Sequence, residues 1–293
     1  MTMSEYLQIK AVSAGVLRTL IDECPYAAWY SSPFNPTPPP ADDTDASDAG
    51  TICHSILLEG STEKVKVFDP ADYPNLKGSG TATRWSNKGI RTARDEARDE
   101  GLIPILKEDF ANVTEAVYSA QRLIRRSAYQ HVFEDVNAAS EQTVVFDDGG
   151  LLCKVRPDRK MHDSSIIVDA KFPAAATSPA VWGRAQLIGR GLYLSAVFYQ
   201  RIVEMATGIC PEYVFLVTPT EPPHLGFFAS PAPDLLALGH RKIDAAVREW
   251  RACAKNGDWP KYDARTHYVE APPWELARQE EREIMNLGLG SQP

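Results

Sequence analysis

The sequence lacks long apolar runs and a basic, hydrophobic leader. No stretch of its 293 residues approaches the roughly 20 apolar residues that a bilayer-spanning helix needs. The first ten residues, MTMSEYLQIK, contain neither a basic segment nor a hydrophobic one. These absences favour a cytoplasmic protein. Because 44% of the residues are apolar, the chain can still supply a substantial core, and we expect a globular protein.

Cysteine is scarce and scattered. The five cysteines are odd in number and lie far apart in the chain, at positions 24, 53, 153, 210 and 253. A disulfide framework or a clustered zinc site requires closer spacing than this. We therefore expect reduced, mostly buried thiols.

An excess of basic residues is also absent. The net charge of −8 counts against a nucleic-acid partner, because phosphate contacts need Lys and Arg. Much of the acid, however, lies in ADDTDASD before Gly50 and in the run around residues 280–283, and Arg and Lys cluster elsewhere. A local basic groove is sufficient for an enzyme that moves along DNA. The charge therefore does not exclude DNA as a substrate.

Apolar spacing predicts several helices. Helical periodicity begins near Ser13, a candidate N-cap, and ends at Pro25. The other expected helices cover residues 50–60, 108–126, 182–205 and 233–255. We expect a single domain over residues 1–293, with a mobile proline- and acid-rich loop at 31–48 and an irregular tail from about 257.

β-Branched and aromatic runs predict strands between these helices. A strand at 141–146 precedes the turn sequence Asp-Asp-Gly-Gly, which is typical of a hairpin, and strands at 151–156 and 165–172 follow. We expect these three strands to form a meander. Further strands are expected at 212–218 and 225–229. Helices and strands therefore mix in an α/β architecture.

Two carboxylates and a lysine stand out in the middle of the chain. Asp169 and Lys171 are two residues apart in an apolar run, so their side chains leave the same face of the expected strand, and Asp158 follows the preceding strand. Neighbouring carboxylates repel each other unless a cation neutralises them, and hard oxygen ligands suit Mg²⁺ or Mn²⁺. Taken singly, each Asp is more typical of a turn or cap residue than of an active site. Together they indicate a metal-dependent nuclease, in which Lys171 orients the attacking water or stabilises developing charge.

Other residues are weaker candidates. The sheet edge would bring Glu141 beside Asp158, although an exposed strand residue is the alternative. His54 shares a helix side with Leu57 and Leu58, so it should point inward, as a core histidine or as a neutral metal ligand. Arg84 and Lys88 lie in a polar region that is either a DNA-facing arm or a solvated helix.

An ordered set of segments carries a resemblance to a known family. The segments GTICHSILLEG, a Glu-bearing strand, LLCKVRPDRK, IIVDAKF and a helix ending in AVFY resemble the RecE (exonuclease VIII) family of phage-type recombination nucleases. That family belongs to the PD-(D/E)xK superfamily, and the similarity also touches SAGVLRTLIDECPYAAWY and WPKYDARTHYVEAPPWE. The resemblance implies an α/β core whose central mixed sheet is flanked by helices.

The resemblance also implies an activity. It is that of a Mg²⁺-dependent exonuclease that digests one strand of duplex DNA from 5′ to 3′ and leaves a 3′ tail for a single-strand annealing partner. The family forms rings, which implies a ring-shaped homo-oligomer. Carried over by position, the implied metal ligands are His54, Asp158, Asp169 and the carbonyl of Ala170. Glu141 is implied to be an active-site acid and Lys171 the catalytic lysine.

One helix departs from the family pattern. The family carries Gln-x-x-x-Tyr, and here Tyr199 is kept while Ser195 occupies the Gln position. Gln186 lies nine residues earlier, so on a continuous helix it would project from roughly the opposite side. Arg184 and Arg190 on this helix are either phosphate contacts or surface ion-pair residues.

Two other functions compete with this hypothesis. The first is a non-catalytic DNA- or protein-binding module on a nuclease fold, which Ser195 and the acidic charge favour. The second is an iron–sulfur nuclease of the Cas4-like branch. That branch needs clustered cysteines near the C terminus, and the spacing between Cys210 and Cys253 argues against it.

Overall fold

A computed structural model describes residues 3–39, 45–74 and 81–289. The helices are α1 Met3–Gln8, α2 Ala14–Asp22, α3 Pro25–Tyr30, α4 Asp45–His54, α5 Lys88–Asp99, α6 Lys107–Ile124, α7 Gln130–Glu134, α8 Pro179–Trp182, α9 Leu192–Thr207, α10 Pro233–Asn256 and α11 Pro273–Leu289. The strands are β1 Val65–Phe68, β2 Ile103–Leu106, β3 Ala139–Ser140, β4 Val144–Asp148, β5 Leu151–Val155, β6 Arg159–Lys160, β7 Ile166–Lys171, β8 Glu212–Val217 and β9 Phe227–Ala229.

A mixed five-stranded sheet forms the centre of the fold. Its strand order is β3-β6-β7-β8-β9, and β7 and β8 are its long, parallel pair. All other neighbours in this sheet are antiparallel. A parallel pair requires a crossover connection, and α9 lies within the connection between β7 and β8. The prediction of a central mixed sheet flanked by helices is therefore confirmed.

Helices cover both faces of β7 and β8. Ile167 and Phe215 pack in one buried cluster with apolar residues of α2, α9 and α10, while Val168 and Leu216 pack with Ala120 of α6 in another. Alternate residues of a strand point to opposite faces, so burial on both sides requires a nearly continuous apolar run. This requirement explains the sequence IIVDAK of β7. A charged residue within it must be stabilised locally.

The expected meander is wrong. β4 and β5 form the predicted hairpin but make a separate two-stranded sheet, and β7 pairs with β6 and β8 instead of with β5. Pro157 follows β5 and has no N–H to donate, and the chain then turns through Asp158 into the short β6. Asp158 therefore lies at the turn between the two sheets.

The long helix expected at 182–205 is interrupted. α8 is followed by a π-helical turn at Gly183–Ile188, and α9 begins only at Leu192. Gly191 has φ +65°, a conformation that favours glycine. At Gly189 a Cβ atom would lie 2.7 Å from the carbonyl oxygen of Ala185, so this tight turn also needs glycine. Because of this break, the side chains of residues 183–190 do not project as they would from a helix continuous with α9.

The chain divides into two compact units, Met1–Pro260 and Lys261–Pro293. The second unit contains α11, so the irregular tail expected from about 257 is wrong for residues 273–289. In the first unit, α4 begins at Asp45, inside the loop expected at 31–48, and residues 40–44 of that loop lie outside the described ones. A single domain over 1–293 stays a prediction. Among the described helices, none is long and apolar enough to cross a membrane.

Candidate active site

Asp169 and Lys171 lie at the end of β7, on the side of the sheet that faces α9. The Lys171 ammonium donates a hydrogen bond to Asp169 Oδ1, and the Tyr213 hydroxyl donates to Asp169 Oδ2 at 2.6 Å. The carboxylate is 12% exposed and the lysine side chain 33% exposed. Both oxygens of a nearly buried carboxylate are therefore satisfied by named donors.

Asp158 joins this pair from the turn after β5. Its Oδ2 accepts a hydrogen bond of 2.8 Å from the backbone N–H of Ala170, the residue between Asp169 and Lys171. A backbone donor fixes the side chain of Asp158 against the edge of β7. The predicted association of Asp158 with Asp169 and Lys171 is thus present in the structure.

The pKa values of the two neighbouring carboxylates are shifted in opposite directions. Burial, with the neighbouring Asp169 second, raises the pKa of Asp158 well above its usual range. Burial alone would raise the pKa of Asp169 as well, but Lys171 and the hydrogen bonds to Asp169 hold it below its usual value. Burial opposes the charge on Lys171, yet Asp169 and Asp158 raise its pKa above normal. A second negative charge beside Asp169 is thus costly, and this cost favours the protonated form of Asp158.

His54 ends α4 and points into this group of side chains. Its Nδ1 lies 3.5 Å from Asp158 Oδ2, and its ring makes an edge contact with Phe172 at 5.8 Å between centroids. Burial and the nearby Lys171 lower the pKa of His54, so the imidazole is neutral at physiological pH. A neutral imidazole has a lone pair for a metal ion.

Glu141 lies beside Asp158, as predicted, but outside any strand. Its φ is +49°, and its backbone N–H donates to the carbonyl oxygen of Asp158 at 3.0 Å. The strand expected to begin at Glu141 begins at Val144. The Glu141 carboxylate accepts a 2.8 Å hydrogen bond from Arg156, whose side chain is 9% exposed. The positive charge of Arg156 thus balances the negative charge of Glu141, the third acid of the site.

A cavity of about 700 Å³ opens onto His54, Glu141, Arg156 and Asp158. A second cavity of about 320 Å³, which we call the lysine cavity, opens onto Asp169 and Lys171. Ser195 and Tyr199 both line the lysine cavity, so the structure brings the predicted supporting residues to the site. Burial raises the pKa of Tyr199 well above its usual range, so its hydroxyl remains protonated.

Four basic candidates lie around or outside these cavities. Arg190 is exposed and lines a further cavity together with Lys171, and Arg184 is exposed on the π-helical turn. Arg84 donates two hydrogen bonds to Asp109, at 3.2 and 2.8 Å, and lines a different cavity with Trp85. Lys88 is exposed at the start of α5. Arg190 is thus the basic candidate that shares a cavity with Lys171.

Within the described residues, no group of three or more His, Cys, Asp or Glu side chains forms a ready-made metal site. Lys171 and Tyr213 each donate one hydrogen bond to Asp169, and a carboxylate oxygen has two lone pairs, so Asp169 keeps acceptor capacity for a cation. The donor set of His54, Asp158, Asp169 and the Ala170 carbonyl nevertheless has the chemistry of a divalent-cation site. Burial and the neighbouring Asp169 oppose a negative charge on Asp158, and a bound cation would relieve that cost.

The cysteines take no part in such a site. All five are free, four are buried, and Cys210 is exposed. The prediction of mostly buried thiols without disulfide partners is confirmed.

Sequence reasoning missed three residues that shape the site. Tyr213 holds Asp169, Arg156 holds Glu141, and Arg18 of α2 lines the lysine cavity. Arg156 precedes the Pro-Asp pair by one residue, so its proximity was available from the sequence. Tyr213 and Arg18 come from distant segments, and only the register of β8 and the packing of α2 place them here.

Comparisons with known proteins concern the family and the fold of the chain. The model of a family described as a PDDEXK-like domain of unknown function (DUF3799) matches residues 20–272. A crystal structure from Eubacterium rectale, described as a "putative exonuclease", has 13% sequence identity and a TM-score of 0.58, and the match covers 93% of this chain and 95% of that one. A second structure, SSO0001, has 13% identity and a TM-score of 0.26 over 68% of this chain and 85% of that one. No curated protein matches in sequence.

Proposed function

Because the chain belongs to the PDDEXK-like family DUF3799, we propose that it is a metal-dependent nuclease that hydrolyses phosphodiester bonds of duplex DNA from an end. One observation carries this proposal. The half-buried Asp158 and the buried Asp169 lie next to each other, with Lys171 at the mouth of the same site. The exonuclease description of the Eubacterium rectale protein is consistent with it.

His54, Asp158, Asp169 and the Ala170 carbonyl would hold Mg²⁺, with Mn²⁺ as a substitute. When bound, such an ion polarises the scissile phosphate and promotes ionisation of the attacking water. Lys171 is an ammonium in this environment, so it donates hydrogen bonds instead of removing a proton. It would therefore stabilise charge that develops on the phosphate oxygens or orient the water.

The remaining residues position these groups. Tyr213 fixes the Asp169 carboxylate, and Arg156 fixes Glu141. The neutral form of His54 leaves its ring free to coordinate. Arg184 and Arg190 would contact phosphates of the DNA, because both side chains are exposed. Arg190 also lines the same cavity as Lys171.

Three finer features belong to the same proposal. Digestion from 5′ to 3′, a single-strand annealing partner and a ring-shaped homo-oligomer all rest on the RecE resemblance. Digestion of linear duplexes labelled at the 5′ or the 3′ end would establish polarity. Light scattering on the purified protein would establish the number of subunits.

The central test compares isosteric variants on linear duplex DNA with and without Mg²⁺. We expect the parent to remove one strand progressively, and Asp169→Asn and Lys171→Met to lose at least about 100-fold in rate, since the loss of one group that stabilises the charge of the transition state costs about that much. Asp163→Asn is the matched control, because Asp163 is an exposed turn residue that bonds Ser165.

Two outcomes would contradict the proposal. If the folded parent bound duplex DNA but never cut it with any divalent cation, the non-catalytic binding module would be favoured. If Asp169→Asn and Lys171→Met cut as fast as the parent, the site assignment would be wrong.

A further inference from the structure

A third cavity begins at Lys171 and runs between the loop after β7 and the turn after α8. Its volume is about 550 Å³, which lies within the range of small-molecule pockets. The walls are mostly apolar and include Phe172, Ala176, Val181 and Leu192. We call it the apolar cleft. Lys171 lines both the apolar cleft and the lysine cavity, so the cleft is continuous with the proposed reaction site.

The helix break brings Gln186 into this cleft. On a continuous helix, Gln186 would project away from Ser195, but the π-helical turn and the left-handed Gly191 separate the two residues into different segments. Gln186 and Lys171 consequently line the same cavity. The expectation that Gln186 projects from the opposite side of one continuous helix does not apply, because the helix is interrupted between Gln186 and Ser195.

The polar groups of the cleft are few and specific. Gln186 supplies an amide, which can both donate and accept, and Arg190 supplies a permanent positive charge. Arg18 lines the lysine cavity, and burial is the main reason that its pKa is lowered. Asp22 acts against this shift, and the positive charge of the nearby Arg190 adds to it. Two guanidinium groups therefore stand near Lys171, a suitable environment for a phosphate.

These features match one nucleotide better than a longer stretch of duplex. Apolar walls suit the faces of a base, an amide suits its hydrogen-bonding edge, and a guanidinium suits its phosphate. A single amide can serve any of the four bases because it carries a donor and an acceptor. Such a pocket would hold a base without imposing strong sequence preference.

We propose that the apolar cleft binds one unstacked nucleotide of the strand being hydrolysed, next to the scissile phosphate. Gln186 contacts its base and Arg190 its phosphate. The base leaves the duplex stack and fills the space between Phe172 and Val181. This inference rests on the proposed nuclease function.

The first test removes the base from the DNA. Linear duplexes would carry a tetrahydrofuran abasic residue at the first, second or third position of the digested strand. For the parent, we expect cleavage to slow about tenfold at one of these positions, since contact of a base with protein side chains is worth about 1–3 kcal/mol. The other positions should be cut at nearly the normal rate.

The second test changes the cleft. Ala176→Trp fills it from an exposed loop position, with Ala180→Trp on exposed α8 as the matched control. Gln186→Leu removes the amide at similar size, with Gln130→Leu as the control because Gln130 bonds Glu134 on its own helix. We expect Ala176→Trp and Gln186→Leu to reduce the rate on normal DNA about tenfold and to abolish the difference between normal and abasic substrates.

The outcomes separate this inference from the function on which it rests. A parent that cuts no duplex overturns the proposed function. A parent that cuts normal and abasic duplexes equally at all three positions overturns only the nucleotide pocket. The same conclusion follows if folded Ala176→Trp and Gln186→Leu, checked by circular dichroism, retain the parent's sensitivity to the abasic residue.

Discussion

The Tyr213 hydroxyl donates a 2.6 Å hydrogen bond to Asp169 Oδ2, across the parallel pairing of β8 with β7. Tyr213 is 1% exposed and pairs in register with Ile167, two residues before Asp169. A buried carboxylate without this donor would have an unsatisfied oxygen. Tyr213 therefore contributes to the position of Asp169 and to the stability of the sheet.

Tyr213→Phe should separate these contributions. We expect the free energy of unfolding to fall by about 1–3 kcal/mol, because the variant leaves a buried acceptor without its donor. Nuclease rate should fall as well, since Asp169 loses a fixed orientation. Tyr129→Phe is the matched control: Tyr129 donates to Glu212 at 2.8 Å, but at an exposed position. Urea unfolding and a duplex-digestion assay would measure both effects, and equal behaviour of the two variants would contradict this role for Tyr213.

Lys154 anchors the N-terminal segment from a buried position on β5. Its ammonium donates to the carbonyl oxygens of Tyr6, Leu7 and Ile9, at 2.7, 3.2 and 2.9 Å. Lys154→Met should remove the side-chain donor that these three carbonyls share, so we expect faster hydrogen exchange over residues 3–10. Lys160→Met is the control, because buried Lys160 bonds Ser164 instead. Unchanged exchange at residues 3–10 would show that Lys154 does not anchor them.

The His162–Asp135 pair predicts a pH-dependent contribution to stability. Its Nδ1–Oδ2 distance is 2.6 Å, and the hydrogen bond that His162 donates to Asp135 lowers the pKa of Asp135 to about 2 and raises the pKa of His162. The raised His162 pKa gives stability that is present below the unfolded-state value and is lost as pH rises through the folded-state value. The lowered Asp135 pKa gives stability that is lost only as pH falls toward 2.

We therefore expect His162→Asn to lower the urea midpoint at pH 5.5 and to change it little at pH 9. His240→Asn, on the exposed side of α10, is the control. A loss of stability that is the same at both pH values would mean that the contact acts by packing and not by charge.

Arg190 should contribute to the salt dependence of DNA binding. Because binding to phosphates releases counterions, affinity should fall steeply with salt and depend little on sequence. Arg190→Ala should weaken binding and reduce the slope of log affinity against log salt by about one. Fluorescence anisotropy with EDTA present would measure the slope, with Arg248→Ala, an exposed α10 residue, as the control. An unchanged slope for Arg190→Ala would exclude this phosphate contact.

Local patterns predicted part of this structure well. The apolar run of β7 reflects burial on both faces, and the Asp-Asp-Gly-Gly turn produces the β4–β5 hairpin. The spacing of Asp169 and Lys171 placed both on one face, and the carboxylate of Asp158 does reach Ala170. These features depend on neighbours in sequence or on the two-residue period of a strand.

Features that depend on distant segments were not predictable in the same way. The parallel register of β7 and β8 decides that Tyr213 reaches Asp169, and a single sequence does not reveal that register. The sequence around Gly191 fits either a continuous helix or an interrupted one, and the structure has the interrupted one. The interruption places Gln186 in the apolar cleft. Glu141 adopts a left-handed conformation because bonds to Asp158 and Arg156 hold it, although its sequence is typical of a strand.

The parallel pairing of β7 with β8 also sets an order of assembly. Asp158, Asp169 and Lys171 leave the ribosome before Tyr213 does, and the whole of α9 is synthesised between them. Until β8 docks, Asp169 lacks its tyrosine donor and β7 lacks one neighbour. Since closing a long connection slows strand pairing, we expect the nascent chain to acquire its catalytic geometry only after residue 217 has emerged, so that nuclease activity follows completion of the sheet.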